Sequence, residues 1–481
     1  MKKEELFETL GDIDEKNVKN AREYKRSKIT KLQRWTALVA VAAVAVVAIA
    51  VTPLFNKSQK DPLGTTYPST VQTVLASYPA PMGEGMTADE FGENEDFFKY
   101  LGEIRDKYAT TAGYPGKMAH YYSAITAQLL AESEENTVCS PLNTYIALAM
   151  LAEVSDGNTR QQILDALGAK SIEGLRSEVK SIWESNYVNT PFLKSLLANS
   201  MWLNKKYEFN EKTLKTLAEN YYASSFMGTP GSEDMNKALR DWTNANTGNL
   251  LTEYTENMEL DPSTVLELVS TIYFKASWDD KFYESRNTEE TFHGTKGDTT
   301  ATMMHQSMVT YLYETEQFTA IGLDLFGSGT MYFYLPKEGV NVNELASSEE
   351  ALALTRSESA VESTYLMVNI SLPKFKVSQQ TDLLPILEAL GITDALDPDL
   401  ANFSPVTKSG TPLFVNKANH SALVEIDENG VTGAAYTEIA MVEGAMLSTD
   451  EVDFTLDRPF MFVVTGGDGS VLFTGMVKNV E

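Results

Sequence analysis

Residues 422–442 read ALVEIDENGVTGAAYTEIAMV, and this stretch decides how the chain is built. Ala422, Val424 and Ile426 alternate with Leu423, Glu425 and Asp427, which gives a strand one apolar face. Glu428-Asn429-Gly430 follows it. The run Val431–Val442 that follows contains no proline, so all of its backbone N–H groups are available to a ladder. It divides into two alternating sets. Val431, Gly433, Ala435, Thr437, Ile439 and Met441 carry neither charge nor ring, whereas Thr432, Ala434, Tyr436, Glu438, Ala440 and Val442 hold both the ring and the charge. With the first set turned to a core and the second to water, nothing ionised is buried, so the large penalty for an unpaired charge is avoided. The run can be an interior strand.

Working outward, FMFVVTGGDGSVLFTGMV (460–477) reads as two apolar strands joined by a glycine-rich turn. Further strands are predicted at 266–275 (LELVSTIYFK) and 366–373 (LMVNISLP). Ser140-Pro141 opens a helix, with Ser as cap and Pro in the first turn. Asn158 begins another that stops at Gly168. The class is α+β, with large antiparallel sheets and helices around them. Residues 115–481 read as one domain.

The N-terminal part is different in kind. Residues 1–34 hold ten Lys/Arg against seven Asp/Glu, so the rest of a chain of net charge −28 sums to −31. Residues 35–55, WTALVAVAAVAVVAIAVTPLF, are uncharged; as a helix they would reach about 32 Å, enough for a bilayer core. The basic leader places 1–34 in the cytoplasm and the bulk of the chain outside. A cleaved signal peptide is the alternative, with secretion after cleavage at Ala48-Ile49-Ala50. Residues 56–114 read as a flexible linker, Pro-rich at first and acidic over 84–97.

Several chemistries lack their residues. The body is too acidic for nucleic acid. Cys139 is the sole cysteine, so no internal disulfide forms, and it reads as packing. The four histidines (His120, His293, His305, His420) are scattered, and there is no phosphate loop, nucleophile elbow or CxxC pair. No metal, cofactor or catalytic residue is expected, and a monomer is.

Eight segments in order carry a resemblance: NTVCSPLNTYIALAML (136–151), GNTRQQILDALG (157–168), SMWLNKKYEFN (200–210), LVSTIYFKASWDDKF (268–282), ISLPKFKV (370–377), LGITDAL (390–396), HSALVEIDENG (420–430) and RPFMFVV (458–464). Over 115–481 the chain resembles the serpin family, bacterial-type and membrane-anchored. The resemblance implies three β-sheets, eight or nine helices and an exposed reactive loop. In that family a serine protease attacks the loop and becomes acyl-linked to it. The severed loop then inserts into the main sheet and traps the enzyme, a form of strand addition.

By resemblance, the hinge and inserting loop comprise Glu428, Gly430, Val431, Gly433, Ala435, Thr437, Ile439 and Met441. The cut bond falls among Gly444, Ala445, Met446 and Leu447. Where the family usually has Thr or Ser, this chain has Val431, and Gly433 and Tyr436 interrupt an alanine-rich run. No Lys or Arg occurs between Lys417 and Arg458, so trypsin-like targets are disfavoured and elastase-like ones expected as covalent partners. Ser140, Asn143, Ser270, Trp278 and His420 fall where the main sheet opens. The family's Asn on the neighbouring strand is here Ser270, and its helix Ser is Asn143. A non-inhibitory binding or chaperone-type serpin is the alternative.

Overall fold

The computed structural model describes residues 56–57, 65–83, 99, 102–103, 118–191, 193–355, 361–408, 413–431 and 451–480. In chain order these begin with β1 (Asn56–Lys57), β2 (Gln72–Val74), α1 (Ala119–Leu130), β3 (Thr137–Cys139), α2 (Pro141–Val154), α3 (Gly157–Ala166) and α4 (Ile172–Asn186). Next come β4 (Val188–Asn189), β5 (Lys194–Asn204), α5 (Glu211–Asn220), β6 (Ala223–Gly228), α6 (Glu233–Asn246), α7 (Thr252–Thr255) and β7 (Leu266–Ser277). A run of strands follows: β8 (Thr288–Gly294), β9 (Gly297–Glu314), β10 (Phe318–Asp324) and β11 (Thr330–Pro336). Then stand α8 (Glu349–Ala353), β12 (Ser363–Pro373), β13 (Phe375–Asp382) and α9 (Leu384–Ala389). The chain closes with β14 (Asn419–Asp427), β15 (Gly430–Val431), β16 (Glu451–Thr455), β17 (Phe460–Thr465) and β18 (Val471–Val477).

The described strands form two hydrogen-bonded networks. The main sheet runs β1-β2-β6-β5-β7-β15-β14-β13, with β4 beside β5. The second runs β16-β12-β9-β10-β11-β17-β18-β3, with β8 beside β9. The 18-residue β9 joins what the resemblance counts as two sheets, because it pairs with β8, β12 and β10 along its length.

Local chemistry explains the helices that matter. Ser140 Oγ accepts the Asn143 N–H at 3.2 Å and Pro141 fills the first turn of α2. Nearly every α2 residue is buried, as its apolar sequence requires. In α6, Ser232 caps the start, Glu233 and Asp234 occupy the first turn, and Met235, Ala238, Leu239 and Trp242 form one buried stripe. That stripe packs with Ala198, Trp202 and Phe226 of the main sheet.

One expectation is corrected. Part of the 56–114 segment read as flexible linker is built into the fold: β2 pairs with β6, and Tyr67 and Val71 join the cluster under α6. Tyr67 lies edge-on to Phe226, with ring centroids 4.9 Å apart. Two anchors four residues apart among prolines and threonines generate no periodic pattern, so the sequence reads as coil. Among the described residues no helix is long and apolar enough to cross a membrane. Residues 35–55 lie outside them.

Candidate functional site

The site grows from the end of β14. Asp427 Oδ1 accepts the N–H groups of Asn429 (2.7 Å) and Gly430 (3.3 Å), turning the chain back on itself. Gly430 and Val431 then form β15, which pairs with Asp427 and Ile426 on one side and with Ser277 and Ala276 on the other. Gly430 has φ +150°, and a Cβ there would stand 2.1 Å from the Ala276 carbonyl oxygen. Only glycine fits. Val431 is 2% exposed. Its branched side chain therefore occupies the slot between β7 and β14, the position where the family's usual Thr or Ser is replaced.

Three anchors hold this hinge. The Trp278 indole donates to the Asp427 carbonyl at 2.8 Å, and the Trp278 N–H donates to that of Asn429 at 3.0 Å. The Phe282 N–H reaches the Glu428 carbonyl at 3.2 Å. The Glu428 carboxylate takes Lys374 Nζ at 3.0 Å and the Asn287 amide. Burial acts to raise the Glu428 pKa, but its hydrogen bonds and the Lys374 charge outweigh burial and hold it below the usual range. Trp278 was legible from sequence. Asn287 and Lys374 were not, since they lie in separate segments with no motif of their own.

Deeper in the sheet, the sequence-predicted polar residues separate into two groups. Ser140 N–H donates to His420 Nε2 at 2.9 Å, so the ring is an acceptor there, and burial pushes its pKa down to about 4. Asn143 Nδ2 donates to the Ser270 carbonyl at 3.1 Å, while the Ser270 hydroxyl lies between the amide oxygens of Asn143 and Asn199. Asn199 was missed. It stands directly opposite Ser270 on β5, and the uniform burial of that strand hides it among apolar neighbours.

β7 and β14 are joined through β15, and among the described residues no ladder links them directly. Gly433, Ala435, Thr437, Ile439 and Met441, with Gly444, Ala445, Met446 and Leu447, lie outside the described residues. The chain is described again at β16, which pairs in parallel with β12, Glu451 opposite Met367.

Comparison with known proteins follows the same outline. The family model Serpin (serine protease inhibitor) matches residues 120–480. The chain is 29% identical to Serpin-ZX of Arabidopsis thaliana over 71% of its own length and 91% of the relative's. It is 30% identical to the leukocyte elastase inhibitor of Equus caballus over 71% of its length and 92% of that protein's. Among solved structures, a thermophilic serpin, tengpin, in the native state superposes with TM-score 0.66 at 24% identity, covering 76% of this chain and 93% of that one.

Proposed function

The chain belongs to the serpin family, and from that premise we propose that it is a single-use inhibitor of serine proteases, elastase-like in preference, working by insertion of its cut loop. Family membership places it among protease inhibitors and not among enzymes.

One observation carries the mechanism: β15 is already a strand between β7 and β14, hydrogen-bonded to both. Its register fixes what insertion would do. Continuing residue by residue, Gly433 would face Phe274 and Val424, Ala435 would face Ile272 and Ala422, and Thr437 would face Ser270 and His420. Each inward position suits its neighbours. Gly433, costly as a strand former by up to about 1 kcal/mol, leaves room beside the Phe274 ring. Thr437 brings a hydroxyl between Ser270 and His420, the polar side chains that flank its place. Outward, Thr432 would sit between Lys275 and Glu425, where charges meet water.

Chain length explains why a cut is needed. A strand from Val431 to Val442 spans about 40 Å. Only residues 443–450 remain to return to Glu451, and eight residues reach at most roughly 30 Å. β16 runs towards the hinge end of the sheet: Thr455 lies opposite Ser371, Lys374 alone separates β12 from β13, and Phe375 pairs with Ile426 beside the hinge. Full insertion therefore requires either a severed loop or the loss of β16. While the loop is intact, its remaining ladder energy is stored. Cutting releases it, because the loop can then pair antiparallel with both β7 and β14.

The absence of Lys and Arg between Lys417 and Arg458 supports a small or apolar residue at the cut, and the acidic body favours a cationic enzyme. We also propose that residues 35–55 anchor the chain in a membrane, with the serpin domain outside, on the strength of their uncharged length. The test is incubation of the full chain with pancreatic-type elastase and with trypsin. A denaturant-resistant covalent complex with elastase is expected. A stable complex with trypsin, or clean turnover by elastase, overturns the proposal.

A further inference from the structure

We infer that Asn429-Gly430 is a self-modification site: the Gly430 nitrogen closes on the Asn429 side chain to form a succinimide, and the hinge ages by loss of ammonia. The chain holds a single Asn-Gly dipeptide, and it falls at the turn into β15. Asparagine is among the chemically labile residues, and here the labile pair sits at the start of the slot. The reaction needs no protease. Its consequence for trapping rests on the inhibitory reading above.

Ring closure needs a nucleophile, an electrophile and a route for the proton. The nucleophile is the backbone nitrogen of Gly430, and the electrophile is the amide carbon of Asn429. The chain itself holds them near each other, which gives the step the advantage of an intramolecular reaction. Gly430 has no Cβ to screen its nitrogen, and the Ala276 carbonyl admits no larger residue there. Asp427 supplies the proton route. Its Oδ1 accepts the Gly430 N–H at 3.3 Å, and its Oδ2 accepts an N–H of Asn429 Nδ2 at 3.4 Å. One carboxylate thus touches both the attacking and the departing nitrogen, and it can carry a proton from the first to the second. Glu428 and Gly430 are buried, whereas Asn429 between them is part-exposed, so solvent water reaches the ring that forms.

In the first step Gly430 N bonds to Asn429 Cγ and gives its proton to Asp427. The Cγ–Nδ2 bond breaks, and the departing amine takes that proton and leaves as ammonia. Water then opens the ring. Attack at Cγ leaves an ordinary aspartate at position 429. Attack at the main-chain carbonyl leaves isoaspartate, with the backbone rerouted through Cγ. The second product disrupts the hinge. The Asn429 carbonyl that receives the Trp278 N–H at 3.0 Å becomes a free carboxylate. An extra carbon also enters the main chain just before β15, whose pairing with Asp427 and Ser277 is fixed to the residue. The new negative charge lies beside Asp427 and Glu428, which adds repulsion.

The test stores the purified full chain warm at neutral pH and follows it by peptide mapping, with fragmentation that tells isoaspartate from aspartate. Conversion is expected at Asn429 before any other asparagine, and at least as fast in the folded chain as in the same chain unfolded in denaturant. Asp427→Asn keeps the shape and the accepting oxygen but removes the proton carrier, and should slow conversion by about a hundredfold. Slower conversion in the folded chain than in the unfolded one overturns the inference, as does an unchanged rate in D427N. Stored wild type should consume more molecules per elastase trapped as isoaspartate accumulates, and Asn429→Gln should hold its starting value. A converted chain that traps as well as a fresh one overturns the effect on the hinge. A fresh chain that traps nothing defeats the inhibitory reading instead, and the mapping result still decides the chemistry.

Discussion

Replacing Val431 by Arg tests the insertion mechanism at its first residue. Val431 is 2% exposed and shares β15 with Gly430, which pairs with Asp427 and Ser277 as Val431 does with Ile426 and Ala276. Burial of the valine side chain contributes roughly 2 kcal/mol. The net worth of each ladder bond is about 1 kcal/mol. An arginine cannot enter a slot walled by Ala276 and Ile426 without burying an unpaired charge, so β15 leaves the sheet and about 4 kcal/mol of local stabilisation goes with it. The wild-type chain has already placed this residue, whereas V431R must force the arginine back into the slot before insertion can proceed, and about 4 kcal/mol added at that step slows insertion by about three orders of magnitude. Hydrolysis of the acyl link then wins. The assay is the number of inhibitor molecules consumed per enzyme trapped, with the covalent complex counted on denaturing gels. The wild type should approach one; V431R should be cleaved as a substrate, with little or no complex. Thermal unfolding of intact and cut chains supplies the second readout: cutting should raise the heat resistance of the wild type and not of V431R. A V431R chain that traps enzyme as efficiently as wild type refutes the reasoning.

Gly430→Ala should expel β15 through the clash with the Ala276 carbonyl, and proteolysis at the hinge should speed up while far-ultraviolet dichroism stays unchanged; unaltered cleavage rates would contradict this. Thr437→Val should leave the intact chain's stability as it is and lower that of the cut chain by about 1–2 kcal/mol, measured in denaturant; an equal effect on both forms would remove Thr437 from the inserted register. His420 has a folded pKa of about 4 against an ordinary 6.5, so it favours folding fully above pH 6.5. That contribution, roughly 3 kcal/mol, is lost as pH falls from 6.5 towards 4. His420→Gln keeps an acceptor for the Ser140 N–H and should flatten the stability profile in that window; an unchanged slope would point to other groups.

Much of this site was written locally. The alternating strand at Ala422–Asp427 and the α2 start at Ser140-Pro141 depend on neighbours in sequence, and each was legible. The partners that hold the hinge depend on distant segments. Nothing in Lys374 or Asn287 marks it for Glu428, since partners across the fold are set by register and not by spacing along the chain. The polar group under the sheet shows the boundary well. Its members Ser140, Asn143, Ser270 and His420 were named from sequence, but the bond pattern was not, because it needed Asn199 and the choice of the Ser140 N–H as the partner of His420. Tyr67 and Val71 were missed for a simpler reason: two anchors are too few to make a period.

The short strand β2 lies outside the residues matched by the family model. It nonetheless covers the flank of β6, which would otherwise present a row of bare backbone groups to any passing chain. Self-association by strand exchange is thereby turned away from that flank. In a molecule proposed to work by accepting a strand, closing this flank removes one side on which acceptance would be uncontrolled.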